Sequence, residues 1–360
     1  MLSSKVNKTR HASGAPCCYN DDVNNERLYK LAAKLVTPGK GILAADQSVR
    51  SMDKLLTALG VEASAEMRRK YRQLLFTTSG IEKYITGIIL YDATFRNHAD
   101  DKTPFLDILT AKGIIPIIKV DRSTVPLTGF PGEEVTEGLD GLRERLAEYA
   151  GMGARATKWR AVINIGPGLP TNECIKMNCL LLARYAALAQ EAGLVPIVEP
   201  EVIYKGAHNL ERAKEVTTLV LKTTFAILAQ YKVDFKGVIL KTSMVLAGSK
   251  NGVPTSPEQV AEATLRVLKD CVPKDVPGIV FLSGGQTPEQ VTANLNAIGK
   301  LEKERGGLPW QLAFSFSRGI EQPVQQAWLG KEENVKVAQE VLIEVLKRNC
   351  RADGGELGQN

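Results

Sequence analysis

Eight short apolar segments rich in β-branched residues alternate along the sequence with longer stretches of helical periodicity. The segments predicted as strands lie at residues 41–46, 87–92, 114–120, 157–163, 195–201, 237–241, 278–283 and 311–316. The helical stretches lie at residues 63–77, 103–111, 137–152, 172–191, 210–231, 257–270, 288–298 and 332–347. Helices between strands are typical of parallel sheets, because a parallel connection has to return to the starting end of the sheet. The pattern therefore predicts an α/β fold made of repeated strand–helix units.

Eight such units favour closure of the sheet into a single-domain (β/α)8 barrel, the TIM-barrel fold. An open doubly wound sheet is the alternative, but no G-x-G-x-x-G follows the first predicted strand, so a dinucleotide site has no support. The 360 residues suit one barrel domain, and no Pro/Gly/Ser-rich linker divides them. We expect a disordered N-terminal tail at residues 1–23, the barrel at 24–349 and a flexible C-terminal tail at 350–360.

Composition excludes several classes of function. The net charge is only +6, and the Lys and Arg residues form no cluster of the kind that binds nucleic acid. The sequence contains no run of about 18 apolar residues, so it predicts no membrane-spanning helix. The six cysteines form no C-x-x-C pair, and two of the three histidines lie outside the N-terminal tail, which is too few for a typical catalytic zinc site. We therefore expect no metal and no cofactor, and a cytoplasmic protein, although the basic N-terminus leaves organelle targeting open.

Charged residues recur where the predicted strands end, although buried parallel strands are usually apolar throughout. In a (β/α)8 barrel the active site lies at this end of the strands. Residues two apart on a strand face the same side, so the pairs at 158/160 and 199/201 are each expected to act together. Salt bridges closing the top of the barrel are the alternative, but so many charges on different strands favour an active site. The residues are Asp46, Asp92, Lys119, Asp121, Lys158, Arg160, Glu199, Glu201 and Lys241.

Lys241 carries the most specific chemistry. It ends a short apolar run, where burial and the nearby Lys158 are expected to favour its neutral amine. A neutral amine attacks carbonyl carbon and forms a Schiff base, which acts as an electron sink without a metal. Glu199 or Glu201 could transfer the protons that this chemistry needs. The sequence thus indicates a lysine-dependent lyase acting on a carbonyl compound.

Loops after the last two predicted strands have the composition of a phosphate site. Ser283, Gly284 and Gly285 follow the seventh strand, and Ser315 and Arg318 lie at and after the eighth. These two loops form the usual phosphate site of (β/α)8 barrels. Glycines let backbone N–H groups approach an anion, and arginine binds phosphate oxygens in pairs. A phosphorylated substrate is therefore expected.

These segments resemble class I fructose-1,6-bisphosphate aldolases over residues 29–349. The resemblance rests on KGILAAD at 40–46, IKVD at 118–121, TKWR at 157–160, VPIVEPE at 195–201, ILK at 239–241, FLSGGQ at 281–286 and NLN at 294–296. It implies a Schiff-base lyase that cleaves fructose 1,6-bisphosphate to dihydroxyacetone phosphate and glyceraldehyde 3-phosphate in glycolysis and gluconeogenesis. It also implies a homo-oligomer, usually a tetramer, with no cofactor.

The resemblance implies a role for each matching residue. Lys241 would be the Schiff-base lysine, Glu199 the general acid/base, and Glu201 its support. Asp46 would orient the C4 hydroxyl, and Lys158 would stabilise charge around the carbinolamine. Lys119 and Arg160 would contact the sugar hydroxyls or the C6 phosphate, which the family also binds through serines that match Ser48 and Ser51. The C1 phosphate would be held by residues of the last two loops, namely Ser283, Gly284, Gly285, Ser315 and Arg318.

Some positions depart from the family pattern. Gln47 replaces a usual Glu, Leu55 a usual Arg and Ser317 a usual Gly, and the last tyrosine is Tyr231 although the family commonly ends in one. Two alternatives therefore stay open, an aldolase for a ketose monophosphate and a paralogue with a binding or scaffolding role. Cleavage assays with mono- and bisphosphates would separate the two enzymes, and a scaffold would show no turnover.

Overall fold

A computed structural model describes residues 21–358, and in it eight parallel strands close into a barrel. The order around the barrel is β1-β10-β9-β8-β7-β6-β3-β2, while β4 and β5 form a separate antiparallel pair. The strands are β1 Gly41–Ala45, β2 Ile85–Leu90, β3 Ile115–Lys119, β4 Thr124–Pro126, β5 Glu134–Thr136, β6 Ala156–Ile163, β7 Val195–Val202, β8 Ile239–Thr242, β9 Gly278–Phe281 and β10 Gln311–Phe316. The predicted (β/α)8 barrel is confirmed.

Helices surround the barrel and connect its strands. They are α1 Asp21–Leu35, α2 Val49–Ala58, α3 Ala65–Thr77, α4 Asp92–Phe95, α5 Phe105–Ala111, α6 Leu142–Met152, α7 Asn172–Glu191, α8 Leu210–Gln230, α9 Pro257–Cys271, α10 Pro288–Glu304, α11 Arg318–Trp328 and α12 Val335–Asp353. Capping boxes begin α9 and α10, where Ser256 and Thr287 accept the N–H groups of Gln259 and Gln290. Among the described residues, no helix has the length and apolarity needed to cross a membrane.

Several boundaries differ from the prediction. Asp92 does not end a strand, because β2 stops at Leu90 and Asp92 opens α4, where a carboxylate suits the positive end of the helix. The β4–β5 pair was not predicted, since strands of three residues are too short to show alternation. Helices α1, α2 and α11 were also missed. In α11 the helical pattern contains Pro323, which normally ends a helix.

Two apolar layers hold the barrel together. The larger lies between the strands and the surrounding helices, and the smaller fills the inside of the barrel. Leu28, Ala32, Leu35 and Val36, in and just after α1, belong to the inner layer. A Cβ atom on Gly278 would lie 2.5 Å from Val36 Cγ1, so glycine is needed for this close approach. The α1 segment thus closes the N-terminal end of the barrel, opposite the predicted site.

The predicted C-terminal boundary is wrong in position. The last helix continues through residues 350–353, and Ala352 within it is fully buried. Beyond the helix, the Leu357 N–H donates to Asn296 Oδ1 at 2.9 Å, and Asn296 Nδ2 donates to the Leu357 carbonyl at 3.2 Å. At the other terminus α1 begins at Asp21, three residues before the predicted start of the domain, and residues 1–20 of the tail predicted at 1–23 lie outside the described residues.

Candidate active site

A cavity of about 1510 Å³ opens at the C-terminal ends of the barrel strands. Every residue selected from the sequence as catalytic or substrate-binding lines it, so the structure brings all of them together. They are Asp46, Ser48, Ser51, Lys119, Lys158, Arg160, Glu199, Glu201, Lys241, Ser283, Gly284, Gly285, Ser315 and Arg318. This is the end of a (β/α)8 barrel where catalytic groups lie.

Four side chains, three of them buried and the fourth (Asp46) 12% exposed, form a line of alternating charge across the floor of this cavity. Lys241 Nζ lies 3.3 Å from Glu199 Oε1, and the other carboxylate oxygen of Glu199 lies 3.2 Å from Lys158 Nζ. Lys158 Nζ in turn lies 2.6 Å from Asp46 Oδ2. Strands β8, β7 and β6 and the end of β1 supply these groups. Glu199 therefore contacts the ammonium groups of two lysines that come from different strands.

The neighbouring charges keep the acids of this line ionised. Burial would raise the pKa of Asp46, but Lys158 and Lys241 outweigh it and hold that pKa well below its usual range. Burial opposes ionisation of Glu199 as well, yet Lys158 and Lys241 lower its pKa. Burial would lower the pKa of Lys158, and Asp46 and Glu199 instead raise it above its usual range. At neutral pH both acids of the floor are thus ionised and Lys158 carries a positive charge.

A second pair of ion pairs lies beside the first, towards β3. Lys119 pairs with the carboxylate of Asp121, and Arg160 pairs with that of Glu201. Asp121 also accepts the backbone N–H groups of Ser123 at 3.1 Å and Arg160 at 3.3 Å. Asp121, which was noted in the sequence only as a charge near a strand end, fixes the strand that carries Arg160 and the side chain of Lys119.

The two loops with phosphate-site composition meet at one side of the cavity. The Arg318 guanidinium donates to the Gly285 carbonyl at 3.2 Å, which joins the loop after β9 to the start of α11. Gly284 and Gly285 have φ values of 56° and 89°, a conformation that favours glycine. The Ser315 hydroxyl is buried and has no hydrogen-bond partner among residues 21–358. This side of the cavity therefore offers a ligand the cationic Arg318, the backbone of two glycines, which have no side chain to block it, and the Ser315 hydroxyl.

Ser48 and Ser51 lie at the first turn of α2, on another side of the cavity. Ser48 is the N-cap of that helix, and its hydroxyl accepts the Ser51 N–H at 3.3 Å. The two hydroxyl groups are 3.1 Å apart. Their placement at a helix N-terminus within the cavity suits contact with an anionic group.

Sequence reasoning missed a partly buried cluster of polar side chains at the wall of the cavity, next to Arg318, which we call the Arg72 network. It consists of Arg72 on α3, Glu321 on α11, Gln47 after β1 and Ser317 before α11. Arg72 donates to Glu321 at 3.3 Å and to the Gln47 carbonyl oxygen, and Gln47 Nε2 donates to Glu321 at 3.0 Å and to Ser317 Oγ at 2.7 Å. Gln47 was noted only as a departure from the family pattern. Arg72 and Glu321 could have been identified in the sequence only as charged residues on the apolar face of a helix.

Comparison with known proteins supports a single family. The family model described as "Fructose-bisphosphate aldolase class-I" matches residues 27–360. A protein of Xanthomonas axonopodis pv. citri named "Probable fructose-bisphosphate aldolase class 1" is 50% identical over 332 residues, which cover 92% of this chain and 98% of that protein. The Arabidopsis thaliana protein "Fructose-bisphosphate aldolase 6, cytosolic" is 46% identical over 330 residues, covering 92% of this chain and 91% of that one.

A solved structure agrees with these relatives. It is the fructose-bisphosphate aldolase from Plasmodium falciparum in complex with TRAP and a small-molecule inhibitor, with a TM-score of 0.91 and 41% sequence identity. The match covers 94% of this chain and 97% of that one. Fold, sequence and the barrel cavity thus agree, and the chain belongs to the class I fructose-bisphosphate aldolase family.

Proposed function

We propose that this protein cleaves fructose 1,6-bisphosphate through a Schiff base on Lys241. Membership of the family makes the chain a fructose-bisphosphate aldolase, a carbon–carbon lyase of glycolysis. The observation that carries the residue assignment is the buried Lys241 amine, 3.3 Å from the buried Glu199 carboxylate at the end of the barrel. The amine attacks the C2 carbonyl of the open-chain sugar, and Glu199 transfers the protons that let water leave.

The remaining charges of the floor suit the cleavage step. The positive iminium takes up the electron pair of the C3–C4 bond as it breaks, while the C4 hydroxyl gives its proton to the Glu199 carboxylate and becomes the aldehyde of glyceraldehyde 3-phosphate. Asp46 accepts a hydrogen bond from that hydroxyl and orients it. Lys158 stabilises negative charge around C2 while the carbinolamine forms. Protonation of the resulting enamine at C3 and hydrolysis then release dihydroxyacetone phosphate and the free lysine.

The two phosphates are assigned to opposite sides of the cavity. Ser283, Gly284, Gly285, Ser315 and Arg318 hold the C1 phosphate, next to the Schiff base. Lys119, Arg160, Ser48 and Ser51 face the other end of the sugar and its C6 phosphate. Glu201 holds Arg160 and supports proton transfer at Lys241.

Location and assembly are proposed from the relatives. We place the protein in the cytoplasm, as the names of plant relatives state for those proteins, and as a homotetramer by analogy with the family.

Reduction by borohydride tests the Schiff base. With dihydroxyacetone phosphate present, borohydride reduces the iminium to a stable secondary amine, so we expect loss of activity and a mass increase on the peptide that contains Lys241. Lys241→Met should abolish the label, while Lys269→Met, which changes an exposed lysine of α9, should keep it. Activity should survive EDTA. A label on a different lysine, or activity lost to the chelator, would overturn the mechanism.

Substrate comparison separates the alternatives. An aldolase for the bisphosphate should show a higher kcat/KM with fructose 1,6-bisphosphate than with fructose 1-phosphate, because only the former can use the Ser48 side of the cavity. The reverse preference would identify a monophosphate aldolase. Absence of turnover with both, in a protein that still binds phosphosugars, would identify a binding or scaffolding paralogue.

A further inference from the structure

The Arg72 network connects two parts of the proposed site just beyond the point where the pairing of β1 with β10 ends, at Leu43 and Phe316. Gln47 follows Asp46 directly in the chain, and Ser317 directly precedes Arg318. The 2.7 Å hydrogen bond between Gln47 Nε2 and Ser317 Oγ therefore joins the segment after β1 to the start of α11. Any shift of this bond would move the proposed phosphate arginine relative to the catalytic floor.

Ser317 has an unusual position for a residue that begins a helix. Serine in this place normally accepts an N–H group of the first turn, but the Ser317 side chain makes no such cap, and its backbone angles are φ −104° and ψ −81°. Its hydroxyl is used by Gln47 instead. Its carbonyl accepts the N–H of Glu321 at 2.8 Å, so Ser317 still starts the helix. The orientation of α11 at its first residue thus depends on Gln47.

Both amide N–H groups of Gln47 and its carbonyl oxygen make hydrogen bonds within the network. One N–H group donates to Ser317 and the other to Glu321, and the carbonyl oxygen accepts from Arg72. A glutamate at position 47 would have no proton to donate and would place a second carboxylate beside Glu321, which is only 1% exposed. Arg72 supplies one positive charge, which balances one carboxylate. Because Glu321 is that carboxylate, position 47 needs a neutral amide.

We propose that Gln47 is a positioning residue that holds Ser317, and with it Arg318, in the place where the substrate phosphate binds. This inference rests on the proposed role of Arg318. Amide and carboxylate have the same shape, so exchanging them between positions 47 and 321 preserves the network with its bond directions reversed. The amide, now at position 321, would donate to the carboxylate at position 47 and accept from Arg72, and the Ser317 hydroxyl would rotate to donate. The charge inside the network would remain balanced.

Three variants test the pairing: Gln47→Glu, Glu321→Gln and the double exchange Q47E/E321Q. We expect Gln47→Glu to raise KM for fructose 1,6-bisphosphate by about 10-fold or more, with a smaller change in kcat, because a lost buried hydrogen bond and a new charge displace Arg318. The double exchange should return KM to within about 3-fold of the parent. Gln322→Glu, which adds the same charge one residue along α11, should change KM less than Gln47→Glu.

Ser317→Ala tests the link to Arg318 without disturbing the buried charges. It removes only the hydroxyl that accepts from Gln47, so the fold should persist, as judged by circular dichroism and melting temperature. KM should rise severalfold, while borohydride trapping at saturating dihydroxyacetone phosphate stays complete. An unchanged KM in this variant would overturn the proposal, as would a folded double exchange no better than the worse single variant. A parent protein that is not trapped at all would instead refute the proposed function.

Discussion

The Glu199 carboxylate lies between the side-chain nitrogens of Lys241 and Lys158, and this position suits it to two functions in the proposed mechanism. Towards Lys241 it can exchange a proton with the amine that becomes the imine nitrogen. Towards Lys158 it finds the charge that keeps it ionised despite burial. A carboxylate buried to this extent would otherwise tend to take up a proton and lose its use as a base.

Lys158→Met should therefore change the pH dependence as well as the rate. Without this cation the pKa values of Asp46 and Glu199 rise. As the pH is lowered, both acids therefore become protonated at a higher pH in the variant than in the parent. We expect kcat to fall by about 10²–10⁴-fold, and the acid limb of kcat/KM against pH to move to higher pH. Steady-state assays between about pH 4 and 9 measure both effects, since ordinary carboxyl groups titrate at about pH 4 and a raised pKa moves their titration up into this range.

Lys269→Met, at an exposed position, is the matched control for the loss of one lysine. Near-normal kcat together with an unmoved acid limb in Lys158→Met would indicate that the floor charges are structural salt bridges.

Among the elements, the ends of β9 and β10 and the start of α11 form the side of the cavity that we propose binds the C1 phosphate. The sequence predicted this side, because small and hydroxyl residues ending the last two strands are a local pattern. Lys241 could be selected as a candidate for a similar reason, since a lysine is unusual at the end of an apolar strand that is expected to be buried. The Arg72–Glu321 pair was not predictable, because its partners are 249 residues apart and each resembles an ordinary charge on a helix.

Arg318→Ala should weaken binding through the C1 phosphate. The loss of a charge-assisted contact predicts a rise in KM for the bisphosphate of about 10–100-fold. Initial rates with fructose 1,6-bisphosphate give KM, and inhibition by ketose phosphates with and without the C1 phosphate shows which group is affected. Arg348→Ala, at an exposed position of α12, should leave KM unchanged. If ligands with and without the C1 phosphate lose the same affinity, Arg318 does not hold that group.

At the scale of the whole molecule, the barrel has different structures at its two ends. The C-terminal end is open and charged, and the other end is closed by the apolar side chains of the α1 segment. The alternation of strands and helices in the sequence predicted the barrel but not this closure. An amphipathic helix before the first strand does not by itself show which surface it covers.

Gly278→Ala should destabilise this closed end. Its new methyl group would meet both Val36 methyl groups at 2.5–2.6 Å, and overpacking of this kind costs about 1–3 kcal/mol of unfolding free energy. Urea unfolding measures the loss, and adding Val36→Ala should recover part of it by making room. Gly151→Ala, in a helix with open space around the new Cβ, should be neutral or stabilising. If Gly278→Ala and Gly151→Ala have equal stability, α1 does not pack as described.

The closed end also constrains how the chain can fold during its synthesis. Tyr29 on α1 donates a hydrogen bond to Asp234, which lies 205 residues further along the chain, and β1 pairs with β10 at the far end of the sequence. A ribosome adding about 5–20 residues per second needs about 10–40 s to make the segment between Tyr29 and Asp234. Throughout that time α1 can pack against residues of β1 and β2, but the parts of β7, β8 and β9 that complete its apolar surroundings are not all present. We therefore expect the nascent N-terminal segment to need chaperones that shield apolar helices until the later strands are made.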